Sequence, residues 1–203
     1  MASASSRSER PLVVATLNRA KGAELARVLA GAPFVVRLLA EVPGASLPEE
    51  TGRSYRENAL LKARAAARQT GLPALADDSG LEVDALGGAP GIFSARYGGA
   101  GLDDGGRVAR LLHALAGVPD ERRTARFRAV VALVDPGGNE TTAEGVADGV
   151  ITHAPRGTAG FGYDPVFFYP PLGRTFGELT PDETDRVSHR ARAVRALWSI
   201  LGG

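Results

Sequence analysis

Two adjacent carboxylates, Asp77 and Asp78, close a short apolar run and are followed by Ser79-Gly80, with Glu82 and Asp84 close behind. Four acids in eight residues exceed what packing requires where a strand ends. A divalent cation with an anionic substrate does ask for them: magnesium takes oxygen ligands, and one or two carboxylates beside substrate phosphates commonly hold it. A carboxylate beside such a metal can also take a proton from an attacking water. The alternative is an Asx-type turn with solvated aspartates.

Four other groups of residues have chemical potential. Thr16-x-Asn18-x-x-Lys21 stands where a strand turns into a helix, and free N–H groups at a helix N-terminus bind phosphate. A helix cap with a surface lysine is the competing reading, and the segment lacks the Walker A pattern. Glu49-Glu50, Glu57-Asn58 and Lys62 form a second group, with Asn58 and Lys62 at helical i,i+4 spacing; a solvated helix face would explain them equally. In Gly157–Pro165, small residues surround Phe161 and Tyr163, so a flat ring could approach the backbone and stack. Core packing of the two aromatics is the other possibility. Last comes Ser188-His189-Arg190, whose side chains can donate to a carbonyl oxygen or simply decorate a surface.

The elements that must position these groups follow from periodicity. Leu12–Ala15 reads as a buried strand, residues 16–21 as a polar turn, and Gly22–Ala30 as a helix; strand, loop, helix is a usual opening of an α/β protein. Phe34–Leu39 predicts a second strand, Ser54–Gln69 a long helix ended by Gly71, and Leu72–Ala76 a short strand entering an acidic turn. A helix over Asp103–Ala116 precedes paired strands at Ala125–Val134 and Thr141–Val150, then an apolar run at Phe167–Tyr169. Thr180-Pro181-Asp182-Glu183 has the form of a capping box with proline at the first helical position, opening a helix to about Leu201. The expectation is a mixed α/β unit over 11–203 behind a disordered tail at 1–10.

Bulk properties narrow the function. The chain has 203 residues and a net charge of +1, which argues against a dedicated nucleic-acid binder. It has no cysteine, so thiolate metal sites and cysteine nucleophiles are excluded. His113, His153 and His189 lack zinc-site spacing. No apolar run approaches the roughly 20 residues that span a bilayer, so a soluble cytoplasmic protein is expected, with no membrane partner. Lys21 and Lys62 are the only lysines among 24 basic residues.

Taken in order, TLNRAKGAE (16–24), SYRENALLKA (54–63), ADDSGLEVDALGGAPGIFSARY (76–97), PRGTAGFGYDP (155–165) and VSHR (187–190) resemble the inosine/xanthosine triphosphate pyrophosphatase family. The resemblance runs from about Leu12 to Leu201. It implies an elongated mixed central sheet flanked by helices, two lobes with a cleft between them, and a homodimer. The implied reaction is Mg²⁺-dependent hydrolysis of deaminated purine nucleoside triphosphates (ITP, dITP, XTP) to the monophosphate and pyrophosphate. Carried over by motif, the loop Thr16, Leu17, Asn18, Arg19, Ala20 and Lys21 would hold the phosphates. Asp78 would be metal ligand and base, with Ser79 beside it; Asp77 and a glutamate, chosen here as Glu49, would complete the metal environment. Phe161, Gly162, Tyr163 and Asp164 would form the base pocket, and His189 and Arg190 would read the base edge.

That assignment is physically coherent. Hypoxanthine and xanthine present an acceptor oxygen at position 6, where adenine presents a donor. A site built on such a bond can reject the wrong partner by ~10⁴–10⁵-fold. Guanine also has the 6-oxo group, so its exclusion must arise elsewhere in the pocket. One departure stands out: the family pattern places a substrate-contacting lysine five residues before the histidine, where this chain has Thr184. Arg186 lies about 200° round the helix from it and is a poor substitute. Weaker substrate binding or altered selectivity is the expectation. A relative with a retuned base pocket, or a nucleotide sensor without catalysis, are the alternatives.

Overall fold

The computed structural model describes residues 10–99 and 101–202. The expected tail lies outside the described residues except for Arg10, which opens the first strand rather than closing the tail.

The chain alternates β1 (Arg10–Val14), α1 (Arg19–Val28), β2 (Phe34–Leu38), α2 (Tyr55–Thr70) and β3 (Ala74–Val83). After α3 (Asp104–Ala114) come the long strands β4 (Thr124–Val134) and β5 (Glu140–Ile151), then the short β6 (Phe167–Tyr169) and β7 (Arg174–Thr175). Helices α4 (Pro181–Val187) and α5 (His189–Ile200) end the fold. The strands form one open sheet in the order β2-β1-β3-β4-β5-β6-β7. β2, β1 and β3 are parallel, and every later pairing is antiparallel.

Local chemistry accounts for the helix limits. Ser54 caps α2 by accepting from the Glu57 N–H, and Gly71 ends it in the left-handed region at φ 67°; a serine cap is worth about 1 kcal/mol. Thr180 and Glu183 form the expected capping box at α4. The final helix is not continuous, however. Ser188 is extended (φ −64°, ψ 153°) and caps a new helix through the Ala191 N–H, so His189 and Arg190 begin α5.

The two faces of the sheet are covered by different helices, and strand alternation decides which residue meets which helix. Val13, Ala15, Ala74 and Ala76 pack under the alanine face of α2. Leu12, Val14 and Leu75 pack against Leu25 of α1, its cap residue Leu29, and Ala193, Val194 and Leu197 of α5. A third cluster joins α3 to the far strands, with Phe127, Phe167 and Phe176 in mutual contact; such aromatic pairs add ~0.5–1.5 kcal/mol each beyond their buried area.

The acidic motif differs from its expected turn. β3 runs on through Asp77, Asp78, Ser79 and Gly80 because β4 pairs with it residue by residue, from Ala74↔Val134 to Val83↔Ala125. That ladder outweighs the weak strand preference of aspartate and glycine. Gly80 is required for another reason: a Cβ there would lie 2.2 Å from the Gly91 carbonyl oxygen. No helix among the described residues is long and apolar enough to cross a membrane.

Candidate active site

β1 pairs with β3 only through Val13↔Ala74 and Val14↔Leu75. Past Leu75 that edge of β3 has no strand beside it until Glu82 bridges Pro90, and the chain leaving β1 turns away through residues 16–18 into α1. With α1 and α2 on opposite faces, the carboxyl end of β1 and the middle of β3 frame a crevice like those in which α/β proteins bind ligands.

Asp77 and Asp78 project to opposite faces at this edge. Asp77 has the parity of Leu75 and meets the α1/α5 side. Its Oδ2 lies 3.4 Å from Lys21 Nζ and accepts from Arg190 Nε at 3.1 Å and Ser79 Oγ at 3.0 Å. Its Oδ1 is buried without a hydrogen-bond partner among the described residues. Burial opposes ionisation of Asp77, but Lys21, Arg190 and Lys62 outweigh it and hold the carboxyl well below the usual range. Arg190 is itself buried and gives Nη1 to Glu24 Oε2 at 2.9 Å and Nη2 to Ser79 at 3.0 Å. Glu24 also accepts from Ser188 Oγ at 2.9 Å, tying α1 to the break between α4 and α5.

Asp78 has the parity of Ala76 and meets α2. Its Oδ2 accepts from Asn58 Nδ2 at 3.0 Å, and its Oδ1 lies 3.4 Å from Lys62 Nζ. Lys62 also donates to Glu50 Oε1 at 2.6 Å. Asn58 in turn accepts from the Gly52 N–H at 2.8 Å, so one buried amide orients Asp78 and anchors the loop bearing Glu50. Burial raises the Asp78 pKa, opposed by Lys62 and aided by the Glu50 carboxylate.

The loop before α1 is built by short local bonds. Thr16 Oγ1 accepts from the Asn18 N–H at 3.1 Å, and Asn18 Oδ1 caps the helix by accepting from the Lys21 N–H at 3.1 Å. The positive end of α1 and the Lys21 ammonium therefore lie together at the open edge.

On the α1/α5 side is a cavity of about 380 Å³, lined among others by Asn18, Ala20, Lys21, Phe161, His189 and Arg190. The Arg190 guanidinium lies 5.0 Å from the centre of the Phe161 ring. Asp164 holds the turn under that ring by accepting from the Phe161 N–H at 2.9 Å. Gly160, at φ 75°, is needed there because a Cβ would lie 2.1 Å from Asp164 Oδ2. Gly162 N–H donates to Asp104 Oδ2 at 2.8 Å, and Tyr163 Oη to the Ser94 carbonyl at 2.9 Å. His189 stacks on Phe127 with centroids 4.7 Å apart. Burial, with Arg190 next to it, pushes the His189 pKa well below its ordinary value, so the ring is neutral. Neither ring nitrogen has a partner among the described residues. A neutral imidazole offers one donor and one acceptor.

Of the residues expected at the site, Asn18, Ala20, Lys21, Ser79, Phe161, Gly162, Tyr163, Asp164, His189 and Arg190 line this cavity. Asp78 does not; it faces the α2 side with Lys62. Thr16 is buried beneath the loop, whereas Leu17 and Arg19 are exposed and Thr184 on α4 lies away from the cavity lining. The Glu49 side chain makes no hydrogen bond or ion pair among the described residues, and Glu50 is the member of that pair drawn to Lys62, which Asp78 also approaches. Sequence reasoning missed Glu24, Asp104, Arg107 and Phe127. A signal existed for two of them: Glu24 falls beside Leu25 and one turn from Val28, and Arg107 lies one turn from Leu111, so each charge interrupts an apolar stripe.

The donor chemistry suits a hard cation. No group of three or more His, Cys, Asp or Glu among the described residues could cage a metal. Asp78 and Glu50 instead converge on one ammonium, Lys62. One or two carboxylates with the remaining positions left to water and phosphate is the arrangement magnesium takes.

Comparison with known proteins agrees with this architecture. The Ham1 family pattern matches residues 12–200. A dITP/XTP pyrophosphatase from Geobacter sulfurreducens is 51% identical over 94% of this chain and 96% of its own length. One from Gloeobacter violaceus is 53% identical over 94% and 93%. Among solved structures, a HAM1 protein from Coxiella burnetii superposes with a TM-score of 0.84 at 42% identity, covering 95% of this chain and 98% of that one. The nucleoside-triphosphatase, dITP/XTP pyrophosphatase, from Mycobacterium abscessus gives 0.72 at 48% identity, over 92% and 98%. With these matches spanning nearly its full length, the chain belongs to the Ham1 family.

Proposed function

We infer that this protein hydrolyses deaminated purine nucleoside triphosphates, ITP, dITP and XTP, to the monophosphate and pyrophosphate, and so removes them from the pool that feeds DNA and RNA synthesis. The observation that supports it most is the juxtaposition across β3: a buried carboxylate–lysine pair on one face and, on the other, a cavity walled by an aromatic ring, a neutral histidine and a buried arginine.

Asp78 takes the proton of the attacking water. The water oxygen bonds to the α-phosphorus, the bond from that phosphorus to the bridging oxygen breaks, and pyrophosphate leaves with the electron pair. Lys21, with the N–H groups at the start of α1 and the Asn18 side chain, binds the phosphates. Asn58 fixes the direction of Asp78. Phe161 stacks on the base, while His189 and Arg190 answer its 6-oxo edge. Asp78 and Glu50, in place of Glu49, would hold Mg²⁺, which supplies charge neutralisation on the phosphates and lowers the pKa of water. Thr184, where the family pattern has lysine, removes one cation from the substrate's surroundings. The working form is a homodimer of a single domain spanning 11–203, in the cytoplasm.

The test is product analysis with Mg²⁺ and ITP, XTP, dITP, ATP and GTP in parallel, with pyrophosphate and orthophosphate assayed separately. Pyrophosphate from the first three with ATP and GTP nearly untouched is the expected result. Orthophosphate release moves the cleavage to a terminal phosphate and overturns the reading. Tight ITP binding without turnover points to a sensor.

A further inference from the structure

Helix α3 contributes two charged side chains to the wall of the base cavity, Asp104 and Arg107. Asp104 is committed: one oxygen accepts from the Gly162 N–H at 2.8 Å, the other from Arg107 Nη1 at 3.0 Å. Arg107 is not. Its side chain is only 20% exposed, and its Nε is buried with no hydrogen-bond partner among the described residues. Nη1 to Asp104 is the one hydrogen bond it donates among them. Arg190, in the same cavity, has Nε, Nη1 and Nη2 all bound to protein, at Asp77, Glu24 and Ser79. Of five N–H groups on each guanidinium, Arg190 thus keeps two beyond its bonds to protein and Arg107 keeps four. The Nη groups of Arg107, held at the cavity wall by that single bond, are the donors it can offer a ligand atom.

We propose that Arg107 determines specificity at purine C2, pairing with the 2-oxo group of xanthine and opposing the 2-amino group of guanine. A guanidinium donates and never accepts. The xanthine 2-oxo group accepts; the guanine 2-amino group donates and leaves two donors facing each other; hypoxanthine offers only C–H and is indifferent. The 2- and 6-substituents flank N1 on one edge of the ring. A pocket whose His189–Arg190 side meets the 6-oxo group turns its neighbouring wall toward C2. The inference rests on the pyrophosphatase reading and adds what that reading lacks, a means of refusing GTP, which shares the 6-oxo group.

The experiment compares wild type, Arg107→Ala and Arg107→Lys by kcat/KM for XTP, ITP and GTP, and by calorimetric affinity for XMP, IMP and GMP. For Arg107→Ala the XTP:ITP ratio falls about tenfold and the GTP:ITP ratio rises about tenfold, with IMP affinity within about twofold of wild type. Arg107→Lys restores part of the XTP preference, since it keeps the charge without the fork. Opposite movements for XTP and GTP are something a merely structural role would not produce. A common loss on all three nucleotides, or unmoved ratios, overturns the proposal. If the alanine variant does not fold, Arg107→Gln carries the same comparison. A wild type that turns over none of the three overturns the activity instead, and the monophosphate affinities still decide the role of Arg107.

Discussion

Asp77 and Asp78 share a peptide bond, yet each is paired with its own lysine on its own face of the sheet. Lys21 Nζ lies 3.4 Å from Asp77 and Lys62 Nζ 3.4 Å from Asp78. Asp77 is enclosed by Lys21, Arg190 and Ser79, which gives it a structural part in joining α1, β3 and α5. Asp78 faces Asn58, Lys62 and the Glu50 loop, and the chemical part is the one proposed for it.

Asp78→Asn and Asp77→Asn should therefore fail differently. The first is expected to lower kcat for ITP by ~10²–10⁴-fold with a near-native unfolding midpoint, because Lys62 keeps Glu50 as its partner. The second strips an anion from two buried cations and is expected to cost ~3–5 kcal/mol of stability. Turnover and urea denaturation on both variants distinguish the parts; an unstable Asp78→Asn beside a stable Asp77→Asn would reverse the assignment.

The position of Glu50 against Lys62 leads to a metal experiment. Glu50→Gln should raise the Mg²⁺ concentration for half-maximal activity by about tenfold or more, whereas Glu49→Gln should leave it within about twofold. Mg²⁺ titrations at saturating ITP measure this, and equal effects from both substitutions would remove Glu50 from the metal's surroundings.

Glu24 is 4% exposed and holds both Arg190 and the Ser188 hydroxyl. Glu24→Gln keeps the shape and loses the charge, so kcat/KM for ITP should fall about tenfold. Glu24→Ala should fall further and lower the thermal midpoint as well. Wild-type kinetics in Glu24→Gln would mean that Asp77 alone suffices to place Arg190.

Burial raises the Asp164 carboxyl to about 7; Arg190 and the Phe161 N–H oppose the shift, and Glu24 and Asp104 add to it. The folded protein thus holds a proton that the unfolded chain releases near pH 4. Stability from this group is complete below about pH 4, falls as pH rises, and levels off above about pH 7, with a span of at most about 4 kcal/mol. Asp164→Asn should flatten the profile, read as urea midpoints at pH 5 and pH 8. A slope unchanged by the substitution would place the proton elsewhere.

Much of this site is legible in the sequence where the signal is local. Ser54 and Gly71 bracket α2, Thr180 and Glu183 open α4, and the lysines stand out by their rarity. The strand carrying Asp77 and Asp78 is not legible, because aspartate, serine and glycine read as breakers until β4, some fifty residues on, supplies a ladder. The break at Ser188 is hidden inside an apparently continuous helical pattern, since a serine cap is recognisable only when its backbone is extended. That Glu50, and not Glu49, meets Lys62 is a tertiary contact without a local signature. Arg107 and Glu24 are visible only as charges on otherwise apolar helix faces, a pattern that solvation would explain as well.

The scarcity of lysine has a practical side. Apart from the α-amino group, every primary amine in this chain belongs to the site, Lys21 at 19% side-chain exposure and Lys62 at 8%. Amine-directed reagents, whether acylating labels, crosslinkers or activated surfaces, have only the α-amino group as a competing target. Acylation of Lys21 followed by mass spectrometry becomes an occupancy gauge, slowed when a triphosphate fills the cleft. The same arithmetic warns against coupling this protein to a sensor chip through its amines.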